Sequence, residues 1–171
     1  TRTRDEVVRR EFRQFEGAWY DAERIRLSRQ RVNRLGYFKS AEIATQPVPD
    51  APDQVDVNMA VEERPTGAFL IGAGVSSTEK LILTGSISQQ NFLGTGKSLD
   101  LSVNTSRVFR TITLSQTDPY FTRDGISRSF DLYTRLFDAS RLALGDYRIR
   151  TTGAGVRFGI PYTEFDRISF G

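Results

Sequence analysis

Between Leu99 and Phe137 the chain alternates. Leu99, Leu101 and Val103, then Ile112 and Leu114, then Phe130, Leu132 and Leu136 recur at every second position, with Thr134 in step. Asp100, Ser102, Asn104, Asp131 and Arg135 fill the gaps. A period of two is that of β-strands with one apolar face. A soluble sandwich alternates in the same way. Here, however, each run is about ten residues long, the apolar side is mostly aliphatic, and aromatics collect at the turns, which together predict a membrane barrel.

The same pattern extends from Ala68 onward and predicts strands over 68–75, 81–89, 97–105, 109–117, 127–137 and 147–160, with a seventh starting near 166. The links between them alternate in character. One set, 91–96, 118–125 and 161–166, holds Phe92, Tyr120, Phe121, Tyr162 and Phe165, as expected where strands leave a bilayer at an aromatic girdle. The other set, 76–80, 106–108 and 138–146, has no Trp, Tyr or Phe. The two sets should face opposite sides of a membrane. Seven antiparallel strands do not close a bacterial single-chain barrel, and an open edge is not tolerated in lipid, so a partial barrel is expected.

Residues 1–64 have a different texture. Thr3-Arg4-Asp5-Glu6 fits a capping box and predicts a helix to about Gln14, with Val8, Phe12 and Phe15 on one face and Gly17 ending it. A second helix is expected from Asp21 to Leu35, burying Ile25, Val32 and Leu35, with Gly36 as a left-handed cap. Strands follow over 37–45 and 55–62, and Pro47, Pro49 and Pro52 confine the link between them to a loop. The second helix carries Arg24, Arg26, Arg29, Arg31 and Arg34. These form either a solvated face or a docking surface for an acidic partner or lipid headgroups. Arg64-Pro65-Thr66-Gly67 marks the boundary.

Composition narrows the chemistry. Of 171 residues, 38% are hydrophobic and 26% charged, and the mean hydropathy of -0.40 hides any membrane strand, because such strands are apolar on one face only. There is no Cys and no His, which removes disulfides, thiol nucleophiles, the usual zinc ligands and a histidine base. A net charge of +3 does not argue for nucleic acid. Thr1-Arg2-Thr3-Arg4-Asp5 is no signal peptide, so a processed or excised chain is expected. Gly94-Thr95-Gly96-Lys97-Ser98 resembles the end of a phosphate-binding loop, but Asn91 stands where the pattern needs glycine and an alternating strand follows where it needs a helix. Asp100, Asp131 and Asp138 beside arginines read more simply as lumen polarity than as a hydrolytic acid pair. No enzyme, cofactor, metal, nucleotide or nucleic-acid partner is expected.

Five motifs in order carry a resemblance: Gln14-Phe15-Glu16-Gly17-Ala18-Trp19, Arg34-Leu35-Gly36-Tyr37-Phe38, Glu63-Arg64-Pro65-Thr66-Gly67, Asn91-Phe92-Leu93-Gly94-Thr95-Gly96 and Asp118-Pro119-Tyr120-Phe121. Together they resemble the BamA family of outer-membrane barrel-assembly proteins of Gram-negative bacteria. The resemblance implies an α+β polypeptide-transport-associated (POTRA) domain over 1–64, helix-helix-strand-strand without the usual opening strand. Over 65–171 it implies an all-β part, the antiparallel up-and-down transmembrane strands of a partial barrel. It further implies a machine of the outer membrane, with the POTRA domain in the periplasm, that folds and inserts unfolded outer-membrane proteins among membrane lipids. A related exporter of a secreted partner protein, built from POTRA domains and a barrel, is the alternative.

By resemblance the lateral gate strand is Phe69, Leu70, Ile71, Gly72, Ala73 and Gly74, where glycine weakens the strand and admits another backbone. Barrel curvature explains the same two glycines. The edge at Tyr37, Lys39, Ala41 and Ile43 would pair with extended clients, or is an ordinary protected edge. Accessory lipoproteins of the assembly complex, chiefly BamD, would dock at Glu16, with Arg13 and Arg24 nearby; an exposed helix-end glutamate is the plainer account of Glu16.

Overall fold

The computed structural model describes residues 3–49, 51–143, 145–163 and 166–171. Two compact units emerge. The first comprises Thr1–Thr66 together with Leu93–Gly96, and the second Gly67–Phe92 with Lys97–Gly171.

In the first unit two helices precede a β-hairpin. Helix α1 spans Asp5–Arg9 and α2 spans Ala22–Arg34; strands β1 (Phe38–Val48) and β2 (Ala51–Glu63) pair antiparallel. Asp21 caps α2, its carboxylate accepting from the amides of Glu23 at 2.9 Å and Arg24 at 3.3 Å. Leu35 closes the helix and Gly36 follows at φ +72°, in the left-handed region that glycine enters without strain. The core is small: Val7, Val32, Tyr37, Phe38 and Ala41 are buried, with Val8, Phe12, Leu35 and Met59 packed against them.

Five expectations for this unit need correction. Helix α1 is one turn long, not three, and Arg4 rather than Thr3 occupies its cap position, without a side-chain bond. The Thr3 amide is taken by Glu63. The amides of Arg10, Glu11 and Phe12 still bond back to Glu6, Val8 and Arg9, but at Arg13 a tertiary partner takes over: its amide donates to the buried Ser28 hydroxyl at 2.8 Å. Phe15 is consequently exposed and Val7, not named among the core positions, is buried.

Pro47 and Pro52 lie inside the strands, Pro47 paired with Val55. Each strand of a two-stranded ribbon has an unpaired side, so proline's missing donor can be accommodated there. Lastly, Arg31 leaves the solvated arginine face. It pairs with Glu11 at 2.8 Å, the side chains only 13% and 5% exposed.

The second unit is one seven-stranded antiparallel meander in sequence order: β3 (Gly67–Ser76), β4 (Lys80–Gln89), β5 (Ser98–Thr105), β6 (Phe109–Asp118), β7 (Ser127–Asp138), β8 (Arg148–Pro161) and β9 (Arg167–Phe170). The register sorts side chains cleanly. Ile71, Gly85, Val103, Ile112, Thr134 and Thr152 follow one another across one face, and Ile87, Leu101, Leu114, Leu132 and Ala154 run parallel to them. The Thr134 and Thr152 hydroxyls bond each other at 3.2 Å, which satisfies polar atoms in the apolar middle of that face.

The opposite face is polar and internally bonded. Ser88 donates to Asp100 at 2.5 Å, Ser115 to Asp131 at 2.6 Å, and Arg157 to Asp131 at 2.5 Å. Gly153 lies beneath Tyr133, where an added Cβ would stand 2.6 Å from the phenol oxygen. The three acids thus spend their oxygens on structural partners across the sheet, Asp138 included, which accepts from Arg148 at 3.0 Å.

Alternate links fall at opposite ends of the meander. The end holding Phe92, Tyr120, Phe121 and Tyr162 is the one where the chain enters the sheet at Gly67; Phe165 lies outside the described residues. The other end also carries aromatics, at strand termini and not in the links: Phe109 and Phe137 stack at 5.1 Å, and Tyr147 stands close by in sequence to β8. Reading the links alone missed them.

Candidate functional site

Three surfaces contain the residues singled out in the sequence. The first is strand β3. Among the described residues it pairs with β4, through Phe69↔Ile87, Ile71↔Gly85 and Ala73↔Leu83 on the apolar face, and Leu70↔Ser86, Gly72↔Thr84 and Gly74↔Ile82 on the polar face. Phe69, Leu70, Ile71 and Val75 are all exposed.

The two glycines of this strand differ. Thr84 reaches across Gly72, its hydroxyl donating to the Gly72 carbonyl at 3.4 Å, and a Cβ there would stand 2.6 Å from that oxygen. Gly74 has nothing within 4 Å of an added Cβ. Close packing inside the sheet therefore accounts for Gly72, while at Gly74 an added Cβ would stand in open space.

The second surface is the segment between α1 and α2. Glu16 sits there, not at a helix end, and pairs with Arg9, which also holds Asp5 at 3.0 Å. These two carboxylates hold the Arg9 guanidinium above its ordinary pKa, chiefly through the bonds to Asp5 and then Glu16. Arg24 lies 3.4 Å from Asp21, and Arg13 is half-buried. Sequence reasoning missed the neighbours: Trp19 is 95% exposed, flanked by exposed Phe15 and Tyr20. Trp and Tyr dominate protein interfaces when they gather on a surface, so an exposed Trp beside Gly17 was a usable signal.

The third surface is β1. Tyr37, which precedes the strand, and Ala41 point into the core, whereas Lys39 is exposed and bonds Glu62 of β2 at 2.8 Å. Ile43 is half-buried. What β1 can present to an extended chain is thus its backbone and Lys39, not the side chains of Tyr37 or Ala41.

The glycine-rich turn before β5 holds no phosphate-loop geometry. Asn91 and Leu93 both adopt φ +53°, Gly94 and Gly96 φ +73°, and a strand follows. Within the first unit, the Arg4 amide donates to the Gly94 carbonyl at 2.9 Å, and the Tyr37 hydroxyl to the Gly96 carbonyl at 3.2 Å. No group of metal-ligating side chains occurs among the described residues.

Comparison with known proteins places these surfaces in context. A family model described as the Omp85 superfamily domain matches residues 91–171, and a POTRA model, described as a surface antigen variable number repeat, matches residues 1–64. An outer membrane protein assembly factor BamA of Neisseria meningitidis serogroup B is 43% identical over 99% of this chain, which covers 22% of that protein. The BamA of Nitratidesulfovibrio vulgaris is 31% identical, again over 99% of this chain and 21% of its own length. The crystal structure of BamA from Haemophilus ducreyi lacking POTRA domains 1–3 matches with a TM-score of 0.85 at 34% identity, over 98% of this chain and 32% of that one. The chain therefore spans about a fifth to a third of the length of these relatives.

Proposed function

Because this chain belongs to the Omp85 superfamily, as a POTRA module followed by barrel strands, we propose that it works in the outer membrane as part of a machine that assembles outer-membrane proteins. Its first unit is then periplasmic. Supporting the reading are the exposed apolar side chains of β3, Phe69, Ile71 and Val75, on a strand that pairs with β4 along its whole length. A half-inserted client strand has unpaired backbone groups, each costing several kcal/mol in hydrocarbon. A template edge at Phe69, Leu70, Ile71, Gly72, Ala73 and Gly74 supplies partners for them by strand addition. No bond is made or broken in this work, so no catalytic group is required.

The segment from Glu16 to Tyr20 is the proposed lipoprotein dock, BamD first, with Arg13 and Arg24 beside it. The backbone edge of β1 is the proposed site for extended clients. A full-length protein cleared of any other cysteine and carrying Leu70→Cys should form a disulfide with a stalled client bearing one cysteine in its terminal strand, since paired strands bring Cα atoms within bonding range. Leu114→Cys, in the middle of the sheet, should give none. Equal cross-linking at both positions would remove the templating reading.

A further inference from the structure

Arg128 stands on the apolar face of the second unit, one residue inside the start of β7, directly across from Asp118 on β6 and Phe158 on β8. Its guanidinium lies over two rings, 3.9 Å from the centre of Phe121 and 4.5 Å from that of Phe130. The nearest carboxylate in register is already committed. Asp118 takes Lys97 at 3.1 Å on one oxygen and the Tyr120 amide at 3.2 Å on the other. Arg128 Nε is buried and has no hydrogen-bond partner among the described residues.

A cation held this way on a lipid-facing surface is costly unless its head reaches an anion at the interface. Its position supplies that reach, because it lies at the end of the strands that carries Tyr120, Phe121 and Tyr162, the depth at which aromatics border headgroups. The rings orient the guanidinium plane without neutralising it. That leaves its fork available to a planar or tetrahedral oxyanion.

We propose that Arg128, backed by Phe121 and Phe130, binds the phosphate of an anionic membrane lipid in the leaflet that bathes this end of the strands. The proposal rests on the reading that the sheet spans a bilayer. Arginine is required there, since lysine would bring the charge but not the paired donors.

The test uses the full-length protein, delipidated in neutral detergent and titrated with phosphatidylglycerol, with bound lipid counted by native mass spectrometry. Arg128→Gln should weaken binding about tenfold, the effect of losing one charge-assisted contact, and Arg128→Lys should fall between. Phe121→Leu, which keeps the charge but removes a backing ring, should weaken it a few-fold. That variant and Arg128→Lys decide the matter if Arg128→Gln loses the heat-modifiable gel mobility of a folded barrel. Equal lipid binding by wild type and the folded variants would overturn the site. Displacement of the lipid by excess inorganic phosphate would overturn its assignment to lipid. Flotation with vesicles of phosphatidylethanolamine and phosphatidylglycerol separates the two readings: wild type that fails to float defeats the membrane reading itself, not the Arg128 site alone.

Discussion

The two units bury their apolar residues against different solvents. In the first, Val7, Val32, Phe38 and Ala41 turn inward and close a small core between α2 and the hairpin. In the second, Leu81, Leu83, Leu101, Leu114 and Leu132 remain exposed on one face of the sheet, while acids and hydroxyls bond one another on the other. By the standard of a water-soluble domain the second unit is unfinished. Its backbone pairing nonetheless runs from strand to strand between β3 and β9, as a bilayer requires of strands that cross it.

That contrast can be broken most forcefully in the first unit. Val32→Asp places a carboxylate in a fully buried position and should cost about 4–5 kcal/mol, abolishing the cooperative urea transition of this unit while the barrel strands keep their heat-modifiable mobility. In the second unit polarity matters by face. Leu114→Arg on the apolar side should lower folding stability in vesicles by about 2–4 kcal/mol, whereas Thr113→Arg, one residue along and on the polar face, should change it little. Similar losses from both would mean that the two faces see the same medium.

The smallest expected effect concerns Tyr37. Burial pushes its phenol above the ordinary value, the Glu11 carboxylate adds to the rise, and Arg10 opposes it. Unfolded tyrosine releases its proton near pH 10, while the folded phenol holds on. The contribution to stability is therefore complete below about pH 10 and lost as pH rises through the folded value. Urea midpoints of the first unit should hold steady up to about pH 9 and fall above about pH 10, and Tyr37→Phe should remove that part of the fall.

Legibility followed locality. The sheet was readable because a period of two and the chemistry of turns are properties of neighbouring residues, so β4, β6 and β7 fall within a residue or so of their expected bounds. The first helix was misjudged for the opposite reason. Its capping box and apolar spacing argued for three turns, but Ser28 captures the Arg13 amide and Arg31 captures Glu11, partners that no local pattern reveals. Pro47 and Pro52 signalled a loop, yet the ribbon extends through them because its strands have free sides. Glu16 was named as a candidate dock through the resemblance alone, and neither its pairing with Arg9 nor the exposure of Trp19 could be read from the sequence.

The sequence by itself determined the two textures of this protein: a first region that mixes helix with strand, a second that alternates throughout, and the apolar face of each strand in that second region. Those follow from side-chain spacing and residue type. Only the tertiary structure decided which charges are spent and which remain for partners. Arg31 meets Glu11, Asp118 meets Lys97, and Arg128 is left between two rings, because ion pairing depends on distances between residues far apart in the chain, and spacing along the chain does not encode them.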